Sequence, residues 1–188
     1  MEEDRIRWDR RYSGAEFPEP QAPEAFADHP AIVDALPHTG RALDIAAGTG
    51  ATSIWLARRG LDVCALEISP AAIDLIGRGA RAAGVGSRVE TQLVDLDDGL
   101  PADLRDVDVV VCQRFRDVRL YPSIVDALVP GGIGIVTVLS VAGRDGPPGA
   151  FHAVAGELKE AFDRPDTDVL HHAEGQGIAS VVFRRTVR

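Results

Sequence analysis

The chain has 188 residues, which accommodates one domain with a sizeable core and little more. An apolar fraction of 45% is ordinary for a globular protein, and a formal net charge of -9 makes nucleic acid a poor expected partner. No apolar run approaches the ~20 residues of a membrane span, and the acidic start Met1-Glu2-Glu3-Asp4 lacks the character of a secretory leader, so the expectation is a cytoplasmic protein away from membranes.

The chain opens on a short polar piece containing Trp8-Asp9-Arg10-Arg11-Tyr12. Phe17 to Pro23, with three prolines, reads as an extended connector. Asp28 is placed to cap a short helix running to about Leu36, with Ile32, Val33 and Leu36 as its apolar stripe. From Arg41 the pattern alternates. Ala42 to Ile45 is a short strand, and Ala51 to Arg59 a helix closed by Gly60. Val63 to Leu66 is the second strand. Pro70 opens a helix through Ala82, with Ile73, Ile76 and Ala80 on one face. Val89 to Val94 and Val107 to Cys112 are the third and fourth strands. The latter is a continuous apolar run of the kind buried in parallel sheets. A helix over Ser123 to Leu128 leads to a turn at Pro130-Gly131-Gly132 and a fifth strand, Ile133 to Leu139. Glu157 to Phe162 is helical. Val169 to His172 and Ala179 to Arg184 close the chain as strands joined across Glu174-Gly175-Gln176-Gly177.

Strands alternating with helices predict an α/β fold, Rossmann-like and doubly wound, with a mostly parallel seven-stranded sheet. The last two strands are too close for a crossover and must form a C-terminal antiparallel hairpin. Residues 1–188 then make a single domain, with 1–36 as an N-terminal lid or helices and 41–188 as the core. Cys64 and Cys112 lie far apart inside apolar runs, and the histidines show no ligand spacing, so neither a disulfide framework nor a metal site is expected.

Open parallel sheets bind ligands beyond the carboxyl ends of their strands, and four such ends carry chemistry here. In Asp44-Ile45-Ala46-Ala47-Gly48-Thr49-Gly50, two glycines between strand and helix let the backbone approach a ligand. A dinucleotide fingerprint would place a third glycine where this chain has Ser53, which counts against NAD. Asp44 is suited to the ammonium of S-adenosylmethionine. Glu67 is placed to accept from both hydroxyls of an adenosine ribose, a group both cofactors share, with Ile68 beside the adenine. Asp95 is a candidate for the adenine amino group, and Leu96 for a backbone contact to the ring. After the fourth strand, Gln113 is a candidate for the sulfonium region. Arg114 and Arg116 are candidates for an anionic substrate group, because guanidinium pairs well with carboxylate.

Three of these segments carry a family resemblance. Leu43-Asp44-Ile45-Ala46-Ala47-Gly48-Thr49-Gly50, then Glu67-Ile68-Ser69-Pro70-Ala71-Ala72-Ile73, then Leu128-Val129-Pro130-Gly131-Gly132 resemble, in order, the glycine motif, ribose motif and pre-strand turn of class I S-adenosylmethionine-dependent methyltransferases. Trp8-Asp9-Arg10-Arg11-Tyr12, Ile54-Trp55-Leu56-Ala57-Arg58-Arg59-Gly60 and Gly156-Glu157-Leu158-Lys159-Glu160-Ala161-Phe162 look like small bacterial members related to the tellurite-resistance and thiopurine methyltransferases. The resemblance implies S-adenosylmethionine as cofactor and a small-molecule methyl acceptor. Cofactor contacts fall to Asp44, Ala46, Gly48, Gly50, Glu67, Ile68, Asp95, Leu96 and Gln113, with Trp8 and Tyr12 in a covering segment. An acceptor pocket is expected from Gln113, Arg114, Arg116, Tyr121, Phe151 and His152, with His152 the candidate general base. A non-catalytic cofactor-binding module and an NAD-dependent oxidoreductase stay open as alternatives, as do the acceptor's identity and the oligomeric state.

Overall fold

The computed structural model describes residues 2–17, 19–26, 30–149 and 151–186. It has seven strands in one sheet, in the order β3-β2-β1-β4-β5-β7-β6, where β1 is Arg41–Ile45, β2 Asp62–Glu67, β3 Val89–Leu93, β4 Val107–Gln113, β5 Leu128–Leu139, β6 Thr167–Gly175 and β7 Ile178–Arg185. The α/β class, the mostly parallel sheet and the antiparallel C-terminal hairpin agree with the sequence reading. The chain divides into two compact units, one of Met1–Ala22 with Pro37–Pro101 and one of Pro23–Leu36 with Ala102–Arg188.

In the first unit, β1 pairs in parallel with β2, and β2 with β3. Ala42, Leu43, Asp44 and Ile45 are buried in succession, as a strand covered on both faces requires. Helix α3, Ala51–Arg58, starts from Gly50, whose φ of 80° places it in the left-handed region. A Cβ added there would lie 2.7 Å from Ile76 Cγ1, so this position requires glycine twice over. Helix α4, Pro70–Ala82, has Ser69 as its N-cap, accepting from the Ala72 amide at 3.2 Å, and Pro70 in its first turn. It buries Ala72, Leu75, Ile76, Gly79 and Ala80, whose spacing makes one helical face; Ile73 lies at that face's margin.

The first helix differs from the expectation of a short polar piece. Residues Glu2–Tyr12 form α1, with acidic residues in the first turn, basic residues in the last and none buried. Its dipole-matched ends support a helix that no apolar stripe announces.

In the second unit, α2 spans only Pro30–Val33, and Asp28, the expected cap, lies outside the described residues. Helix α5 runs Tyr121–Ala127 and α6 Glu157–Phe162. Strand β5 begins earlier than expected. Leu128 pairs with Val107 and Ile133 with Val109, so residues 129–132 bulge out of register opposite Asp108. The Pro-Gly-Gly turn thus sits inside the strand's span, with Gly131 at φ 87°. The β6–β7 hairpin turns on two residues, Gln176 and Gly177, both at positive φ (53° and 81°). That is the primed turn whose twist suits a tight hairpin. Tyr121, Phe162 and Phe183 pack in series, the first pair tilted and the second stacked, with ring centroids 5.1 and 4.7 Å apart, joining α5, α6 and β7. Phe183 lies flat against Gly134: a Cβ there would come within 2.1 Å of its ring.

Candidate active site

The carboxyl ends of β1 and β2 adjoin, because Ile45 pairs with Leu66 and Asp44 with Ala65. Beyond β1 the chain turns through Ala46 (φ 54°) and Gly48 (φ 57°) into α3. Left-handed backbone at a non-glycine such as Ala46 costs about 1–2 kcal/mol; it is maintained where surrounding structure over-determines it, and such sites cluster at ligand contacts.

Glu67 organises this turn. One carboxylate oxygen accepts from the Gly48 amide at 2.9 Å. The other accepts from the amides of Ile68 and Ser69 at 2.9 and 3.1 Å. A carboxylate offers about four acceptor positions, so one remains on the oxygen facing Gly48. The sequence assigned Glu67 to both ribose hydroxyls; the structure shows three of its acceptor positions already taken by backbone amides, one in the glycine turn and two in the loop before α4.

Asp44 is 3% exposed and accepts from the Ser53 hydroxyl at 2.5 Å. Burial pushes its carboxyl up to about 7; the Ser53 hydrogen bond opposes that shift and the nearby Glu67 charge adds to it. Ser53 therefore has a role the sequence did not disclose. It stands where a dinucleotide fingerprint has glycine, and its hydroxyl braces the acidic residue of the motif.

Helix α1 is fastened to this region. Asp9 Oδ1 accepts from the Ser69 hydroxyl and from the Ala71 amide, both at 2.9 Å, at the start of α4. These bonds hold the Asp9 carboxyl below its usual range, the Ala71 amide first. One turn further on, the Tyr12 hydroxyl lies against Gly48, 3.1 Å from where a Cβ would stand. Trp8 stacks on Tyr12 at 5.8 Å, with Arg7 and Arg11 over its ring at 5.3 and 5.5 Å. The structure places Tyr12 against the glycine turn with Trp8 stacked on it, and fastens their helix through Asp9, which the sequence reading did not single out. Asp95 caps the next turn, accepting from the Asp97 amide at 3.1 Å; Leu96 is buried and Ile68 half-buried.

In the second unit, Gln113 Oε1 accepts from the Glu24 amide at 2.7 Å. Arg114 pairs with Glu24 and Arg116 with Glu157, at 2.8 and 2.6 Å. Asp117, their acidic neighbour in sequence, pairs instead with Arg119. The Tyr121 hydroxyl donates to Glu157 at 2.9 Å, and its own ionisation is pushed far up by burial and by that bond. Phe151 is 58% exposed. His152 Nε2 lies 2.8 Å from Arg144 Nη1, a group that only donates, while Nδ1 faces the Gly149 amide at 3.1 Å and the Gly149 carbonyl at 3.3 Å. An engaged lone pair argues against His152 as a general base. Sequence reasoning missed Glu24 and Glu157, which lie 90 and 41 residues from their partners.

A methyltransferase-domain family matches residues 42–132. An uncharacterized methyltransferase of Mycobacterium tuberculosis is 29% identical over 163 residues, covering 78% of this chain and 64% of that protein; the chain thus spans less than two thirds of this relative's length. Among solved structures, TehB from Haemophilus influenzae superposes with a TM-score of 0.69 at 20% identity, over 85% of this chain and 63% of that one. The CcbJ methyltransferase from Streptomyces caelestis gives 0.71 at 17%, over 95% and 96%. The (4+2)-cyclase SpnF gives 0.70 at 18%, over 97% and 93%. The glycine turn and the relatives point the same way: over residues 42–132 the chain is similar to the methyltransferase-domain family, and its strand order is that of Rossmann-like methyltransferase structures.

Proposed function

We propose that the protein transfers the methyl group of S-adenosylmethionine to a small molecule, acting as the single domain 1–188. The observation that carries the reading is Glu67 gripping the Gly48 amide while the buried Asp44 sits one strand away. Together they set two carboxylates at a backbone turn, an acceptor set suited to a cation joined to a hydroxyl-bearing ribose. Asp44 would hold the ammonium of the cofactor's amino-acid end, and the remaining Glu67 position one ribose hydroxyl. Ala46 and Gly50 shape the turn, Ile68 and Leu96 border the adenine, and Asp95 accepts from its amino group. Trp8 and Tyr12 cover the site and exclude water. The bound cofactor supplies an already activated methyl group. The chain's own residues then orient the acceptor, which can provide much of the acceleration.

Gln113, Arg114, Arg116, Tyr121 and Phe151 line the acceptor side of this reading. The anionic acceptor suggested by Arg114 and Arg116 loses its support, since Glu24 and Glu157 already neutralise both guanidiniums. The likeness to a cyclase makes a reaction other than methyl transfer the second reading, since one fold hosts unrelated chemistries. Calorimetry with S-adenosylmethionine, its demethylated product and NADH tests the binding step. Heat with the first two and none with NADH is expected; no heat with either methionine compound on folded protein sinks the proposal. Label transfer from methyl-labelled cofactor across thiols, amines, alcohols and acids then separates an enzyme from a binding module.

A further inference from the structure

The two arginines that follow β4 are paired in different ways. Arg116 meets Glu157 as a fork: Nε to Oε1 at 2.8 Å and Nη2 to Oε2 at 2.6 Å, so both carboxylate oxygens are used. Arg114 sets Nε and Nη2 on a single oxygen, Glu24 Oε1, each at 2.8 Å. Glu24 Oε2 is shut away from solvent and has no hydrogen-bond partner among the described residues.

This arrangement is held from several sides. The Glu24 amide donates to Gln113 Oε1 at 2.7 Å, tying Glu24 to the last residue of β4. Arg114 is fixed at φ 57°, its amide donating to Thr137 O at 2.7 Å. Left-handed backbone at a long side chain is costly and is kept where geometry matters. A buried carboxylate oxygen without a donor is also costly, and folded proteins rarely leave one unfilled. Here it is kept beside the carboxyl end of a parallel strand, where open sheets receive their ligands.

We propose that Glu24 is an acceptor-binding residue whose Oε2 receives an N–H or O–H of the methyl acceptor, so that the acceptor presents an ammonium, amine or hydroxyl at this end and not an anion. The inference rests on the methyl-transfer reading and deepens it by naming the acceptor's chemistry. A carboxylate already steadied by Arg114 through one oxygen offers the other in a fixed direction. An ammonium there gains a charge-assisted hydrogen bond, whereas an anion meets a like charge. Glu24 orients the acceptor in this proposal, its Oε1 held by Arg114.

The test uses a matched pair of probes, 3-phenylpropylamine and 3-phenylpropanoate, titrated into the full chain and followed by NMR. The wild type should bind the amine at least about tenfold more tightly. Glu24→Gln preserves an acceptor for Arg114 and turns a donor toward the probe. It should weaken the amine about tenfold and strengthen the carboxylate, an inversion that loss of packing alone would not produce. A wild type that prefers the carboxylate, binds both alike or binds neither overturns the proposal, as does a Glu24→Gln variant with an unchanged ratio. If that variant fails to fold, the wild-type preference decides alone. Calorimetry with S-adenosylmethionine on the same samples keeps the two readings apart. Equal cofactor affinity in wild type and variant is expected, while a wild type that ignores the cofactor sinks methyl transfer and leaves the amine preference standing.

Discussion

The β1–β2 end and the β4 end build their chemistry from different materials. At the first, the proposed recognition surface is backbone: the turn from Ala46 to Gly50, whose Gly48 amide is held by a carboxylate that also binds two amides of the following loop. At the second it is side chains, two arginines each answered by a distant glutamate. A backbone site is written in a contiguous motif, because only certain residues tolerate its dihedral angles. A side-chain site is assembled from remote positions and can be rewritten one residue at a time.

The largest test of this contrast concerns stability. Gly134→Ala places a Cβ within 2.1 Å of the Phe183 ring and disturbs the stack with Phe162 and Tyr121. A loss of about 3 kcal/mol or more is expected in denaturant unfolding. A change under about 1 kcal/mol would show that the aromatic series yields easily.

Next in size is Glu67→Ala. It removes the acceptor of the Gly48, Ile68 and Ser69 amides as well as the proposed cofactor contact. Cofactor affinity should fall by about 2–3 kcal/mol, roughly 30- to 150-fold, with a protein that still folds. An affinity within threefold of wild type would mean that the turn stands without its carboxylate.

Asp44 provides a pH test. Its folded pKa, about 7, lies above the ordinary carboxylate value, so the folded protein holds a proton that the unfolded chain releases. The resulting stability is full below about pH 4, is lost as pH rises toward about 7, and is flat above. The sign for binding is opposite. A cofactor ammonium selects the ionised form, so affinity should rise with pH, approaching tenfold per unit below about 7 and levelling above it. Asp44→Asn should flatten that slope; a slope that survives the substitution assigns the titration elsewhere.

The smallest effect is expected at Asp9. Asp9→Ala releases α1 from Ser69 and Ala71. Amide exchange should quicken across residues 2–12, with cofactor affinity falling severalfold. Unchanged exchange would show that the Trp8–Tyr12 stack alone keeps α1 in place.

These contrasts also describe what the sequence discloses. Strands such as Val107–Gln113 and the capped helix α4 are legible because burial and caps leave local patterns. The glycine turn is legible for the same reason. Helix α1 is not, since it buries no residue and shows no stripe. The β5 bulge is hidden because the four residues 129–132, set against Asp108 alone, resemble an ordinary turn and only pairing reveals that the strand resumes around them. The arginine partners are hidden because adjacency proposes Asp117, whereas folding delivers Glu24 and Glu157.

The chain has two tryptophans, and their surroundings make them unequal optical reporters. Trp8 rides on α1, stacked on Tyr12 beside the glycine turn. Trp55 is on α3 with the Arg59 guanidinium over its ring at 5.1 Å. A Trp55→Phe protein would therefore carry a single emitter whose intensity and wavelength follow the covering helix. Mixing such a protein rapidly with S-adenosylmethionine would report at α1 whether and when the proposed cofactor reaches the glycine turn, with no label added.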